Sequence, residues 1–159
     1  MLGSRLLLLI QSHAGPLTRD AMKDLLTNPR TPTFRRLNPA DVESRVSALY
    51  YNLGSWIGDA NENAIRREYE DTGRIRFRQG VPVSELVYAL LITKQHLRRH
   101  IREHGLVDFA GDRVAPEELL GLELHSIQEL NYQVGEFFDR ALYYLASGYE
   151  AEARSGSAA

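Results

Sequence analysis

From Pro116 to Glu152 the chain runs for 37 residues with no further proline, and apolar side chains recur along it at three- and four-residue steps. Leu120, Leu124, Ile127, Leu130, Val134, Phe137, Phe138, Ala141, Leu142 and Leu145 form this stripe. Such spacing predicts one helix of about 55 Å, at 1.5 Å per residue. That length is large for a compact domain of 159 residues. The remaining chain must therefore cover the stripe, or another copy of the chain must. Gly121, Gly135 and Gly148 mark the points where the helix is expected to kink or end. Strand signals are nearly absent, with no Asn-Gly or Asp-Gly hairpin turn and no sustained alternation. The fold class expected is all-α, a globin-like or helix-bundle domain with a long C-terminal helix.

The upstream helices announce themselves by their first turns. Leu37-Asn38-Pro39-Ala40-Asp41-Val42 places Asn at the cap, Pro at the first helical position and an acid at the third, with Leu37 and Val42 spaced as a hydrophobic staple. Val81-Pro82-Val83-Ser84-Glu85-Leu86 and Val114-Ala115-Pro116-Glu117-Glu118-Leu119 repeat the staple and the acid. Asp59-Ala60-Asn61-Glu62 reads as a capping box, and Gly58 and Gly80 sit where helix ends favour positive φ. These signals predict helices at 4–13, up to Asn28, 38–57, 60–79, 82–104 and 116–152. Residues 29–37, with two prolines, are a connector anchored by Phe34 and Leu37, and 105–114 are a loop. One domain is expected over 1–153, with a disordered tail at 154–159.

The absence of cysteine removes disulfides, thiolate zinc sites and cysteine nucleophiles. A net charge of -2 argues against a basic nucleic-acid binder. The five-residue apolar run Leu6–Ile10 is too short for a signal-peptide core or a membrane span. No nucleic acid or membrane partner is expected, and the location expected is cytoplasmic.

His96, His100 and His104 recur every four residues, a spacing at which two imidazoles can share a metal. The glutamate of a HExxH motif is missing, so the reading is a solvated face near a helix C-terminus, where His⁺ suits the dipole. His125 is expected to be a buried, hydrogen-bonded side chain, with a pocket ligand as the alternative. No G-x-S-x-G elbow, phosphate loop or cleft-forming carboxylate pair occurs, so no catalytic residue, metal or cofactor is assigned. Residues 66–104 carry nine basic and five acidic side chains, residues 105–159 three and ten. This imbalance is read as complementarity between neighbouring helices, with a patch of Arg66, Arg67, Arg74, Arg76 and Arg78 for an acidic partner as the alternative.

The doublets Phe137-Phe138 and Tyr143-Tyr144 cannot both face one narrow stripe. One member of each is expected at a second interface, within the chain or between chains, and all four residues are candidate dimer or partner contacts. Phe138→Asp is then expected to weaken self-association and leave the helical signal intact.

The stretches PRTPTFRRL, GRIRFRQGVPVSELVYALLITKQHL and FFDRALYYLASGYE resemble the RsbRD-type N-terminal domain, over about residues 5–150. The motifs are Arg78-Gln79-Gly80, the staple-type start ending in Glu85-Leu86, and Phe137-Phe138-Asp139-Arg140 followed by Tyr144. The resemblance implies a sensory or regulatory module of bacterial signalling, all-helical, globin-like without haem, and dimeric. It implies a non-enzymatic domain that acts on a signalling protein partner in a stress response. The chain ends soon after the helical region, so either a free-standing module or a part of something longer is expected. The alternative is a small-ligand or haem-type sensor with a pocket in the helical core, using His96, His104 or His125.

Overall fold

The computed structural model describes residues 7–8, 10–58, 62–104 and 117–157. Among the described residues the elements follow in the order α1 (Ala14–Thr27), η1 (Pro32–Arg36), α2 (Pro39–Gly58), α3 (Glu62–Arg78), α4 (Val83–His104) and α5 (Glu117–Ser157). No strand occurs among the described residues, and the fold is all-α with a long last helix, as the periodicity requires.

The helix starts behave as their residues dictate. Asn38 Oδ1 accepts the backbone N–H of Ala40 at 3.0 Å, and Val42 is buried beside a half-buried Leu37. Gly80 ends α3 at φ 75°. Its N–H reaches Phe77 O, and the Val81 N–H reaches Arg76 O, both at 3.0 Å, which is a Schellman closure with Val81 fully buried. The start signals at 59–61 and 114–116 lie outside the described residues.

Two acids depart from the capping role their spacing suggests. Glu62 reaches across to α5, as described below. Glu85 is buried and accepts the N–H and the hydroxyl of Thr33, at 2.8 and 2.9 Å. It thereby fastens η1 to the first turn of α4. Removing it strands a buried N–H and a hydroxyl, each costing about 1–3 kcal/mol. Glu85→Ala is expected to lower the urea midpoint by the equivalent of about 2–4 kcal/mol, whereas Glu85→Gln, which keeps an acceptor, loses less.

The core lies where α1, α2, α3, α4 and α5 meet, with Leu17, Ala21 and Leu25 of α1 buried against the others. Trp56 stacks on Phe137 at 5.5 Å, and Tyr69 meets both rings edge-on at 6.0 Å. The Tyr50 hydroxyl donates to Thr93 O at 2.9 Å. Arg76 is buried, with Nη1 donating to Asp41 at 2.9 Å and to Gln79 at 2.7 Å.

α3 and α5 run side by side in the same direction, since Glu62 meets Arg140, and Arg78 meets Glu152. Two glycines let their backbones touch. A β-carbon on Gly73 would lie 2.8 Å from Tyr149 N, and one on Gly148 would lie 2.6 Å from Glu70 Cα. α5 therefore neither kinks nor stops at Gly148, which serves close approach instead. The helix continues to Ser157, five residues past the predicted end at 152, and Ser155 Oγ donates to Ala151 O. Residues 154–157, expected as the start of a loose tail, are helical.

Candidate functional site

α5 presents two faces of opposite character. Leu130, Val134, Phe137, Phe138, Ala141 and Leu145 are buried. Phe137 is 0% and Phe138 2% exposed. Both rings are covered within the protomer, so of the two alternatives, within the chain or between chains, the first accounts for their burial. α5 is flanked by α3 on one side and α4 on the other, so its apolar arc is wide enough for both rings. The second interface anticipated for the doublet is intramolecular. Tyr144 is half-buried and also faces inward, its hydroxyl donating to Glu62 of α3. Tyr143 is 69% exposed.

Tyr132, which the stripe analysis passed over, is 63% exposed. It lies eleven residues before Tyr143, about three turns, so the two rings stand on nearly one line about 16 Å apart. Glu136 and Asp139 are exposed between them. The Tyr132 hydroxyl donates to Glu136 Oε1 at 3.2 Å, and that bond holds the phenol above its usual range. Lys94 and Arg98 of α4 border the same groove, together with Asn131 and Gly135. The face thus joins two exposed aromatic rings to an acidic edge and a basic edge. The signal in the sequence was a pair of tyrosines in register on the face opposite the apolar stripe.

Charge complementarity between helices accounts for two of the five patch arginines: Arg78 pairs with Glu152 at 2.8 Å and Arg76 with Asp41 at 2.9 Å, whereas Arg66 pairs with Glu70 at 3.0 Å along α3 itself. In return, Arg140 of α5 reaches Glu62 at 3.0 Å. The hydrogen bond from Tyr144, helped by Arg140, holds the Glu62 carboxyl below its usual range. A depressed carboxylate pKa stabilises the fold above the ordinary carboxylate value, and that contribution is lost as pH falls through the folded-state pKa. Tyr144→Phe is expected to raise the Glu62 pKa towards its ordinary value in a carboxyl-carbon NMR titration. The stability gap from the parent chain should then close as the solution is acidified below the carboxylate range.

The histidines separate. His96 Nε2 lies 2.9 Å from Asp24 Oδ2 in a half-buried pair between α4 and α1. Burial works against the Asp24 carboxylate, but hydrogen bonds from Asn28 and His96 outweigh it and leave its pKa lowered. His100 and His104 lie 4.5 Å apart, centre to centre, and are joined by His13. His13 Nδ1 is 2.7 Å from His100 Nε2, so one nitrogen donates and the other accepts. Only tertiary contact brings His13 to this group, 87 residues from its partner. No group of three or more His, Cys, Asp or Glu among the described residues is placed to hold a metal ion. His125 is exposed, contrary to the buried role expected of it, because it falls on the outer side of α5.

A cavity of about 80 Å³ lies at the centre, where all five helices and η1 converge, and no histidine lines it. That volume is too small for a haem, and the walls supply no axial imidazole. None of the described helices is long and apolar enough to cross a membrane.

The family model described as RsbT co-antagonist protein rsbRD N-terminal domain matches residues 20–158. None of the curated proteins or solved structures compared with the chain matches it.

Proposed function

The chain belongs to the RsbT co-antagonist protein rsbRD N-terminal domain family, and from that premise we propose that it is a non-enzymatic regulatory module that works as a homodimer and passes a signal to a protein partner. Family membership makes it a signalling regulator domain of the stress-response kind. The finer reading rests on the exposed line of α5. Tyr132 and Tyr143 are large aromatic side chains left uncovered on a 41-residue helix. Aromatic anchors of this kind carry a disproportionate share of interface energy.

A twofold arrangement suits the groove. In such a contact the same patch meets itself, so Glu136 and Asp139 of one copy can face Lys94 and Arg98 of the other. The expected location is the cytoplasm, where such a partner is met. Sedimentation velocity on the full chain tests the reading. The parent protein is expected to sediment as a dimer, and Tyr132→Asp with Tyr143→Asp as a monomer with unchanged circular dichroism. A parent chain that is monomeric at high micromolar concentration, or a double variant that stays dimeric, overturns the assignment of this face.

A further inference from the structure

We propose that the central cavity is a binding site for a small, neutral, mostly apolar molecule carrying one hydrogen-bond acceptor, of the size of a short-chain ketone or alcohol. The site lies inside one protomer, so it stands whether or not the chain dimerises.

The argument starts from the walls. Val46, Leu49, Trp56, Leu86, Leu90 and Leu145 line about 80 Å³ of space that opens towards the surface. Close-packed cores leave few spaces larger than a water molecule unfilled. Apolar walls also hold water poorly, as shown by an engineered apolar cavity of about 150 Å³ that stays dry and binds benzene. The space here is about half of that, which limits the occupant to a few heavy atoms.

Two donors stand at its edge. Tyr69 lines the cavity and is 6% exposed. Burial pushes its phenol well above the usual range, so it remains a donor. Arg45 also lines the cavity, and its Nε is buried without a hydrogen bond; Asp41 Oδ1 stands at 3.4 Å. Thr72 accepts from Arg45 Nη1 and donates to Glu68 O, both at 2.8 Å, while Thr93 donates to Leu90 O at 2.7 Å. Tyr69, Arg45 and the indole N–H of Trp56, which also lines the space, are all donors, which selects an acceptor. Asp41 and Glu68 already balance Arg45 and Arg76 around the site, so a carboxylate ligand would compete with Asp41 for the same guanidinium groups. A neutral oxygen avoids that competition. The half-buried Arg45, Thr72 and Glu68 stand between α2 and α3, where a ligand can enter.

Methyl NMR of the full chain tests this with two probes: acetone, which offers an acceptor, and xenon, which does not. Acetone is expected to shift the Leu49, Leu86 and Leu90 methyls saturably, with a dissociation constant on the order of 1 mM, as befits four heavy atoms. Tyr69→Phe is expected to weaken acetone about fivefold and leave xenon unchanged, the effect of one neutral hydrogen bond. Ala89→Leu, which fills the space, is expected to abolish both. Shifts that rise linearly over the whole surface, or that survive filling of the cavity, overturn the site. Equal acetone affinity in Tyr69→Phe overturns the acceptor assignment, and that isosteric variant decides the point even if Ala89→Leu does not fold. Sedimentation of the same samples separates this outcome from that of the dimer.

Discussion

Phe138→Asp is expected to abolish the folded protomer, with loss of the helical circular-dichroism signal at 25 °C and not merely of self-association. Phe138 is 2% exposed and packs edge-on against Phe137 at 5.2 Å. Truncating a buried phenylalanine costs about 3–5 kcal/mol. A carboxylate left there has no cationic partner among the residues of the core cluster, which adds several kcal/mol or forces the group to stay protonated. The sum rivals the whole stability of a domain this size, about 5–15 kcal/mol. Phe138→Leu, which keeps most of the volume, is expected to fold with a lower melting temperature. A helical, monomeric Phe138→Asp would return this ring to the surface and undo the core placed here.

The second large effect concerns a single methyl group. Gly148→Ala is expected to destabilise the chain by about 2–4 kcal/mol, although alanine is the better helix former by about 1 kcal/mol. A β-carbon there would lie 2.6 Å from Glu70 Cα, and backbone cannot step aside as a side chain can. α3 and α5 would have to separate along their parallel contact, loosening Phe77 from Tyr149 and Arg78 from Glu152. Gly121→Ala, outside the groove proposed as the dimer face, is the internal control. Its β-carbon meets nothing within 4 Å, so that substitution is expected to be neutral or stabilising by up to about 1 kcal/mol. Paired urea titrations check the sign of each. Equal effects at the two positions would mean that α3 and α5 do not approach through Gly148.

The candidate interaction face was only half legible in the sequence. Tyr143 stands out as half of the Tyr143-Tyr144 doublet, whereas Tyr132 has no aromatic neighbour in sequence and only its eleven-residue register with Tyr143 marks it. A stripe that faces a single neighbour puts Phe137 and Phe138 in different environments. Two neighbours flank α5, and both rings are buried. The histidine spacing on α4 was plain, but the ring of His13 and the carboxylate of Asp24 come from α1 and its preceding turn.

What the sequence determined by itself is what local physics governs: the all-α class, the staple and Asn38 cap of α2, the Gly80 closure of α3, and the length of α5 to within a turn and a half. These depend on side chains within a few residues of one another, where spacing fixes geometry. Tertiary structure alone decided that Gly148 is a contact and not a break, that Glu62 and Glu85 bind other elements and not their own helix ends, and that Tyr69 and Arg45 border an unfilled space. Each of those outcomes turns on which helices meet and how closely, and helical periodicity constrains a face without naming its neighbour.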